Sequence, residues 1–481
     1  MSDTIAAIST GLTEAGISMI RVSGDNSIEI TDKVFRPGKK GMSLKNAESH
    51  TIHYGHILDE EGNVLDEVMV SVMKGPRSYT KEDVTEISCH GGILVTRRIL
   101  ERILQSGARL SEPGEFTKRA FLNGRIDLTQ AESVMSLIRS TSDLAAKNAL
   151  SQLKGSLRDK VISLRKELIY EIAYLESALD DPENYDLSDF GDRCTDLCDR
   201  TLLTLNELIA SAENGRLMQD GIKVCILGKP NAGKSSFLNF LLEEERAIVT
   251  DIPGTTRDTV ESTMRLGDLT LRLMDTAGLR ETEDVIEQIG VERAREAAKN
   301  ADLILYLMDS AVMPSEEELR QAFDLIEEKP CIFLMSKADT ERAFEKEHLL
   351  SSYKEISGLS EDKLPTVFLF SSKQEFTDET GAKIELRQER HQLEKKIMEM
   401  FWHGDVTMSE KIVITNMRQK QHLVAAAESV KAVKQTIEDE MPEDLLAGDL
   451  MSAYTELGLI IGEEVEDDLV NEIFSKFCMG K

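Results

Sequence analysis

Eight consecutive residues, Gly228-Lys229-Pro230-Asn231-Ala232-Gly233-Lys234-Ser235, have the types and spacing of a phosphate-binding loop. They follow the apolar run 224–227 and precede the helix-like run 236–242, so the loop joins a predicted buried strand to a predicted helix. Glycines let backbone N–H groups and the helix N-terminus surround phosphate oxygens. Lys234 would reach the β and γ phosphates, and Ser235 would bind Mg2+. The loop predicts binding of a nucleoside triphosphate.

Two further motifs follow the loop in the order that a nucleotide-dependent switch requires. Asp275-Thr276-Ala277-Gly278 ends an alternating apolar run, where an Asp that organises magnesium and a Gly backbone that senses the γ-phosphate belong. Gly254-Thr255-Thr256-Arg257-Asp258 supplies Thr256, a threonine able to close on Mg2+. Each motif alone could be a turn, but their order with the phosphate loop makes coincidence improbable.

The choice of base rests on Ser336-Lys337-Ala338-Asp339, which follows the predicted strand 331–335. Asp339 can accept two hydrogen bonds from guanine, a pattern that adenine cannot supply, and Lys337 can lie along the base. The usual first residue of this motif is Asn, so Ser336 is expected to weaken base contacts and the tether to the phosphate loop. Ser371-Ser372-Lys373 matches the loop that offers a backbone N–H to guanine. The sequence favours GTP over ATP.

The identity of residue 279 bears on whether the domain can hydrolyse GTP. In Ras-like enzymes a Gln just after the Asp-x-x-Gly motif orients the attacking water, whereas Leu279 stands at that place here. Either another group positions the water, or the domain is a switch that does not hydrolyse GTP.

The elements that must position these motifs show an α/β pattern. Apolar runs at 224–227, 303–308, 331–335 and 367–370 alternate with helical stretches, which predicts a mostly parallel sheet with crossover helices. Gly267-Asp268, between the runs 262–266 and 269–273, predicts a hairpin turn. We expect a Ras-like P-loop GTPase domain with a mostly parallel sheet over 221–382.

The regions before and after the predicted GTPase domain show other spacings of apolar residues. Short β-like runs at 17–22, 67–73 and 84–88 precede a helical stretch at 93–104, which predicts an α+β domain over 1–124. Beyond it, an apolar stripe spaced for one long helix ends at Asp180-Asp181-Pro182 and comprises Leu150, Leu153, Leu157, Val161, Leu164, Leu168, Ile172 and Leu175. Such a stripe needs other helices, and the candidates are 194–217 and the segments after about 383. The simplest architecture has the GTPase domain inserted between the halves of an all-α domain, 125–220 and 383–481.

Composition limits what this chain can bind. Its 481 residues suggest about three domains, and its net charge of −30 argues against long-range attraction to nucleic acid. An RNA substrate would need a partner or a local basic patch, although the charge could equally serve solubility. No apolar run approaches a membrane span and no signal peptide begins the chain, so we expect a cytoplasmic protein without membrane contact. Six scattered cysteines, with Cys194 and Cys198 the only close pair, argue against a disulfide framework or structural zinc.

Taken together, these motifs resemble those of the MnmE (TrmE) family of tRNA-modification GTPases. The resemblance covers nearly the whole chain. Besides the nucleotide motifs in order, it rests on Pro113-Gly114-Glu115-Phe116, Arg119-Ala120-Phe121-Leu122-Asn123, Asp275-Thr276-Ala277-Gly278-Leu279-Arg280-Glu281 and Phe477-Cys478-Met479-Gly480-Lys481. The family usually has Ile where Met479 stands, a mild apolar exchange.

The resemblance implies a way around Leu279. Family members dimerise through their GTPase domains around K+, which stands in for an arginine finger; the implied K+ ligands are Asn231, Thr250, Ile252 and Thr255. Mg2+ would be held by Ser235 and Thr256. Glu287 matches the catalytic glutamate thought to orient water indirectly, although from the sequence alone it is a solvent-facing helix residue. The implied GTP contacts are Asn231, Ala232, Gly233, Lys234, Ser235, Ser236, Thr250, Asp251, Ile252, Pro253, Gly254, Thr255, Thr256, Asp275, Thr276, Ala277, Gly278, Lys337, Asp339, Ser371, Ser372 and Lys373.

For the N-terminal domain, the resemblance implies a folate-binding-like fold that takes 5-formyl- or methylene-tetrahydrofolate. The matching positions are Arg21, Glu86, Arg125, Cys478 and Lys481. Basic groups can hold the folate carboxylates and Glu86 can accept hydrogen bonds from the pterin, but from the residues alone each is equally a surface ion pair. Arg125 stands where some relatives carry Lys, which keeps the charge but not the geometry. Cys478 could act as a nucleophile or only position the tail, since the sequence places no His or Asp to activate it.

The implied function is an enzyme that acts with the flavoprotein MnmG, as a homodimer within a heterotetramer. It would install an aminomethyl or carboxymethylaminomethyl group on carbon 5 of the wobble uridine of certain tRNAs, with GTP hydrolysis driving conformational change. The acidic balance agrees with a partner that supplies much of the tRNA contact. The alternative is a regulatory switch such as a ribosome-assembly GTPase resembling Era or Der. Those carry a KH-type RNA domain or a second GTPase unit, and the sequence shows neither a GxxG loop with basic flanks nor a second P-loop.

Overall fold

The computed structural model describes residues 3–242, 262–274, 296–326, 329–358, 364–373, 375–377, 383–401, 412–463, 467–475, 477 and 480. The chain forms two compact units. The first spans 1–138, 149–205 and 421–481, and the second spans 139–148 and 206–420. The domain boundaries at 124, 220 and 382 stay a prediction.

The described residues contain helices and strands in the following chain order. The helices are α1 Ser27–Val34, α2 Ile93–Gln105, α3 Glu115–Leu122, α4 Leu128–Arg139, α5 Asp143–Leu153, α6 Ser156–Asp180, α7 Phe190–Asp220, α8 Lys234–Leu242, α9 Glu316–Ile326, α10 Lys346–Ser357, α11 Leu386–Phe401, α12 Met417–Glu438, α13 Glu443–Ile461 and α14 Asp467–Ser475. The strands are β1 Ile5–Ile8, β2 Ala15–Ser23, β3 Phe35–Pro37, β4 Thr51–Leu58, β5 Val64–Met73, β6 Val84–Gly91, β7 Arg109–Leu110, β8 Ile222–Gly228, β9 Ser262–Leu266, β10 Leu269–Leu273, β11 Leu303–Asp309, β12 Cys331–Ser336, β13 Thr366–Leu369, β14 Glu375–Thr377 and β15 Lys383–Glu385.

The first unit contains a sheet of strand order β3-β4-β5-β6-β2-β1-β7. Neighbouring strands are antiparallel except β1 and β7, which pair in parallel. Alternate residues of the strands pack against α1 and α2; Val70, Ile87, Ile99 and Ile103, all fully buried, belong to this core. The predicted α+β architecture and its strands and helix are confirmed.

The predicted single helix through Leu150 and Leu175 is wrong, because the stripe is divided between α5 and α6. Gly155 between the two helices has a φ of +99°, a left-handed value that a helix does not continue through and that glycine adopts without a Cβ clash. The stripe on α6 is buried from Leu157 to Leu175, whereas Leu150 on α5 is 43% exposed. The predicted end at Asp180 is confirmed.

Helices α6 and α13 pack together, although their sequences lie on either side of the nucleotide motifs. Arg165 of α6 donates from Nε to the Tyr454 carbonyl oxygen at 3.2 Å, and its guanidinium lies 4.0 Å from the Tyr454 ring centroid. Its Nη1 pairs with Glu463 at 2.6 Å. Gly458 leaves room for this side chain, since a Cβ there would lie 3.1 Å from an Arg165 nitrogen. The expectation that helical segments from both halves meet is confirmed for this pair.

The second unit contains a sheet of order β13-β12-β11-β8-β10-β9. All pairs are parallel except β9 and β10, whose hairpin turns at Gly267 with a φ of +58°. Both faces are covered: Leu393 and Ile397 of α11 pack on one face, and Leu319 and Ala322 of α9 on the other. The predicted mostly parallel sheet and hairpin are confirmed. Because parallel strands end at one edge, β8, β11, β12 and β13 place their following loops together.

A short stretch from before the nucleotide motifs also belongs to the second unit. Thr141 shares a 2.8 Å hydrogen bond with Thr270 of β10, and Asp143 lies 3.7 Å from Arg265 of β9. Asn148 exchanges hydrogen bonds with the backbone of Val413. The β9–β10 hairpin is thus held by residues 139–148, a contact that sequence periodicity did not indicate.

Two further properties of the described part of the chain bear on function. Its helices include none with the length and apolar composition that a bilayer crossing would need. Its cysteines, Cys89, Cys194, Cys198, Cys225 and Cys331, are all free and at most 7% exposed.

Candidate functional site

The phosphate loop joins the end of β8 to the start of α8, as predicted. Gly228 has a φ of +144°, and a Cβ there would lie 2.4 Å from the Leu307 carbonyl oxygen. Gly233 has a φ of +90°, and Asn231 has a φ of +63° at the exposed tip of the loop. The two glycines are therefore required by the backbone itself, at Gly228 also by the close approach of β11.

Lys234, the first residue of α8, folds its side chain back into this loop. Its Nζ donates to the carbonyl oxygens of Gly228 at 2.6 Å and Lys229 at 2.7 Å. Partial burial of the ammonium lowers the pKa of Lys234. An ammonium has three donors, so one remains for a phosphate oxygen. Ser235 and Ser236 are exposed in the first turn of α8, where N–H groups and the helix dipole favour an anion.

The predicted base-reading residues come together where β12 and β13 end. Asp339 accepts a hydrogen bond from the Ser371 hydroxyl at 2.7 Å and pairs with Lys373 Nζ at 2.8 Å. Lys373 is the main reason that the pKa of Asp339 is lowered, so this carboxylate stays ionised and accepts hydrogen bonds at neutral pH. Ser372 is exposed between them.

Ser336 stands where Asn is usual, and the sequence alone does not say what its side chain contacts. Its Oγ donates to the Met308 carbonyl oxygen at 3.1 Å, and the residue is 1% exposed. A Cβ on Gly233 would lie 3.4 Å from the Ser336 Cβ. The hydroxyl is therefore bonded to β11, and Ser336 approaches the phosphate loop at van der Waals distance.

Asp309 belongs to this cluster and sequence reasoning missed it. It ends β11 directly beside Ser336 in the register, and its Oδ2 pairs with Lys337 Nζ at 2.5 Å. The position could have been found, because an Asp at the carboxyl end of a buried parallel strand faces the same edge as the other nucleotide loops.

The remaining predicted nucleotide and metal positions lie outside the described residues. They are Thr250, Asp251, Ile252, Pro253, Gly254, Thr255, Thr256, Asp275, Thr276, Ala277, Gly278, Leu279 and Glu287. Of the predicted K+ ligands the structure places Asn231, and of the Mg2+ ligands Ser235.

In the first unit, the predicted folate residues assemble around an aromatic ring that the sequence did not indicate. Arg21 pairs with Glu86 at 2.8 Å, and both side chains are mostly buried. The guanidinium carbons of Arg21 and Arg125 lie 5.1 and 4.9 Å from the Tyr79 ring centroid. Arg125 Nη1 also donates to the Tyr79 carbonyl oxygen at 3.1 Å. This group combines two cations, a carboxylate and an aromatic ring.

The C-terminal tail reaches this group at Gly480. Its carbonyl oxygen accepts from the Ser9 hydroxyl at 3.0 Å and from Arg21 Nη1 at 3.5 Å. A Cβ on Gly480 would lie 2.3 Å from the Ile8 carbonyl oxygen, so the contact requires glycine. Cys478 and Lys481 lie outside the described residues.

An ion cluster around the buried Arg119 supports the same region. Arg119 of α3 pairs with Asp3 at 2.7 Å, with Glu115 at 2.9 Å and with Glu82 at 3.1 Å. Arg109 pairs with both Asp3 and Glu115. The cluster ties α3 to β7 and to Asp3.

Comparisons with known proteins match most of the chain. Residues 4–125 match the family model described as GTP-binding protein TrmE N-terminus, and residues 128–478 match the MnmE helical domain. The chain is 48% identical to tRNA modification GTPase MnmE of Lachnoclostridium phytofermentans over 481 residues, which is 100% of both chains. It is 42% identical to the protein of the same name from Thermoanaerobacter pseudethanolicus, covering 100% of this chain and 99% of the relative.

Among solved structures, an Era variant from Aquifex aeolicus bound to GDP and aluminium fluoride is 26% identical over 43% of this chain and 66% of that chain. Its TM-score of 0.25 is too low to bear on the fold. The family models and full-length relatives are sufficient: the chain is a GTP-binding, GTP-hydrolysing enzyme and belongs to the MnmE family of tRNA modification GTPases.

Proposed function

We propose that this GTPase modifies carbon 5 of the wobble uridine of certain tRNAs to an aminomethyl or carboxymethylaminomethyl group, together with the flavoprotein MnmG. The observation that carries the proposal is the group formed by Arg21, Glu86, Tyr79 and Arg125 in a unit separate from the nucleotide loops. A GTPase that serves only as a switch has no use for such a second site.

The chemistry of this group fits a tetrahydrofolate. Tyr79 offers an aromatic surface to a flat pterin, Glu86 can accept from ring N–H donors, and the guanidinium of Arg125 can bind a glutamate carboxylate. Cys478 and Lys481 complete the proposed set from the tail whose Gly480 contacts Arg21. Bound 5-formyl- or methylene-tetrahydrofolate would supply the one-carbon unit. The residues of the chain would orient it and exclude water.

For GTP hydrolysis, we propose that two copies pair through their nucleotide domains around K+. Asn231, exposed at the loop tip, would bind K+ together with Thr250, Ile252 and Thr255, while Ser235 and Thr256 bind Mg2+. Cations beside the phosphates stabilise the charge that develops during phosphoryl transfer. Glu287 would position the attacking water indirectly, the task that Leu279 cannot perform. The homodimer would act with two MnmG chains as a cytoplasmic heterotetramer that holds the tRNA.

The modification role is tested by deleting the gene and measuring wobble uridines of total tRNA by mass spectrometry. We expect the aminomethyl and carboxymethylaminomethyl nucleosides to disappear and to return when the wild-type gene is restored. Restoring a Lys234→Ala gene should leave them absent, because the nucleotide site is then lost. Wobble uridines that stay modified in the deletion strain would refute the role and favour a switch instead.

The potassium requirement is tested by GTP turnover at matched ionic strength in KCl and in NaCl. We expect at least about tenfold faster turnover in KCl, a modest share of what a transition-state cation provides. Asn231→Ala should remove the difference between the two salts, because Asn231 is proposed to bind the ion; the GDP affinity of the variant is measured alongside, since Asn231 is also an implied nucleotide contact. Equal turnover in both salts would exclude K+ as the group that compensates for Leu279.

A further inference from the structure

The N-terminal sheet carries an exposed basic surface at one edge, which the functions proposed so far do not use. We call it the basic edge and define it as Lys33, Arg36, Lys39, Lys40, Lys45, Lys74 and Arg77, of which Lys74 is half-buried and the others are exposed. We propose that the basic edge binds the phosphate backbone of the substrate tRNA and leads it to the group around Tyr79. This inference rests on the proposed function, because it names the surface that presents the tRNA to the one-carbon site.

The charge of the basic edge is opposite in sign to that of the whole chain. The net charge of the protein is −30, yet the stretch 33–47 contains five Lys or Arg residues and no Asp or Glu. The stretch 74–81 contains three more Lys or Arg residues and again no Asp or Glu. Because RNA binding depends largely on Lys and Arg displacing counterions from phosphates, such a local excess is what an otherwise acidic protein needs.

Few carboxylates neutralise these cations. Lys33 and Lys45 face the same carboxylate, Glu29, at 3.6 and 3.7 Å, and both lysine side chains are 53% exposed. Two cations on one exposed anion leave a net positive charge. The exposed Arg36, Lys39, Lys40 and Arg77 form no ion pair with any described residue.

Two nearby carboxylates, Asp32 and Asp83, are hydrogen-bonded within the fold. Asp32 accepts hydrogen bonds from the Ser43 hydroxyl and the Leu44 N–H at 2.8 and 2.7 Å. Asp83 accepts from the Gly75 N–H at 2.9 Å. These carboxylates therefore accept hydrogen bonds from the segments that carry the lysines and hold those segments in place.

The two basic stretches join into one surface. Lys74 Nζ lies 3.5 Å from the Lys45 carbonyl oxygen, and the Lys74 N–H donates to the Ser49 hydroxyl at 2.9 Å. On the other side, Gly38 is fixed to β4 by its N–H, which donates to the Tyr54 carbonyl oxygen at 3.0 Å. The charges thus project from a hydrogen-bonded backbone, so less order must be imposed when RNA binds.

The basic edge continues directly into the proposed one-carbon site. Arg77 and Lys81 flank Tyr79 in the sequence, and Lys81 Nζ donates to the carbonyl oxygens of Asn123 and Gly124 at 2.9 Å. Arg125, the next residue, lies on the Tyr79 ring. A nucleic acid strand bound along the basic edge would therefore arrive beside the group that is proposed to hold the one-carbon donor.

The test compares two full-length variants that lose the same charge. Lys39→Gln with Lys40→Gln removes two lysines of the basic edge, and Lys160→Gln with Lys166→Gln removes two exposed lysines of α6 as the matched control. The probe is a fluorescent, unmodified tRNA transcript with uridine at the wobble position. Its Kd is measured between about 50 and 200 mM KCl, so that the slope of log K against log salt concentration is defined.

We expect the basic-edge variant to bind about 10 to 50 times more weakly at about 100 mM KCl, with the slope of log K against log salt reduced by about 1.5 to 2. The control variant should stay within about twofold of wild type. GTP turnover should be unchanged in both. Charge reversal, Lys39→Glu with Lys40→Glu, should weaken binding further.

Equal weakening in both variants, no weakening in either, or no binding of the transcript by wild type would overturn the proposal. So would unchanged tRNA affinity combined with lost binding to vesicles of anionic phospholipid, which would assign the surface to a membrane. The result of this binding test is independent of the result of the gene-deletion test for the modification role. Unaltered wobble uridines in the deletion strain would refute that role without touching the Kd comparison, and an insensitive Kd would leave the role standing.

Discussion

Replacing Asp339 by asparagine is expected to turn the guanine site into one that prefers xanthine nucleotides. The carboxylate would accept from the two N–H donors that guanine presents. An amide instead offers one acceptor, which matches the N1–H of xanthine, and one donor group, which matches its C2 carbonyl oxygen. A buried donor left unpaired is costly, so the affinity for GDP should fall about 100-fold or more while that for xanthosine diphosphate rises. Titration calorimetry with both nucleotides measures the reversal.

Asp309→Asn is the matched control for this change. It also removes one carboxylate at the edge of the sheet, but Asp309 pairs with Lys337 and is not proposed to face the base. Its ratio of guanine to xanthine affinity should remain within about threefold of wild type. If Asp339→Asn binds GDP as wild type does, Asp339 does not read the base.

Truncating Lys234 to alanine should abolish useful nucleotide binding. Its ammonium is held by the Gly228 and Lys229 carbonyl oxygens at the centre of the loop, where it would be paired with the β and γ phosphates. Removing one member of such a charge pair costs about 2–5 kcal/mol, which corresponds to roughly 30-fold to several thousand-fold in Kd. Calorimetry with GDP and a non-hydrolysable GTP analogue gives the loss directly.

The same loop offers the control. Lys229→Ala removes an equal charge, but the Lys229 side chain is exposed and pairs with Glu318 of α9. Its effect on nucleotide affinity should not exceed about threefold, as is usual for an exposed ion pair. A comparable loss in the two variants would show that net charge, and not the placement of Lys234, governs binding.

The parts of the fold that were predictable from the sequence are those in which backbone geometry dictates the residue type. A Cβ on Gly228 would lie 2.4 Å from the Leu307 carbonyl oxygen of β11, so the fold requires glycine there. The glycine that marks the motif in the sequence is therefore the residue that the backbone needs. Strands of the nucleotide sheet were found because burial on both faces makes their sequences continuously apolar. The hairpin at Gly267 was found because its φ of +58° favours glycine.

Other contacts could not be predicted because they depend on tertiary neighbours. The sequence around Tyr79 shows no pattern from which the two guanidinium groups over its ring could be predicted. Nothing in the spacing of Leu150 and Leu157 reveals that Gly155 turns left-handed between them. Likewise, the bond from Ser336 to Met308 exists because β11 and β12 are in register, which a single strand cannot disclose.

The five buried cysteines lie in different parts of the fold, so each can report on the local opening of its own part. Cys89 lies in the N-terminal sheet, Cys194 and Cys198 on α7, and Cys225 and Cys331 in the nucleotide sheet. A buried thiol reacts with an alkylating reagent only when its surroundings open, so alkylation rates read by mass spectrometry would give the opening free energy of each region separately. A thiol that reacts before any of these five can be assigned to Cys478 without mutagenesis, because the chain has six cysteines.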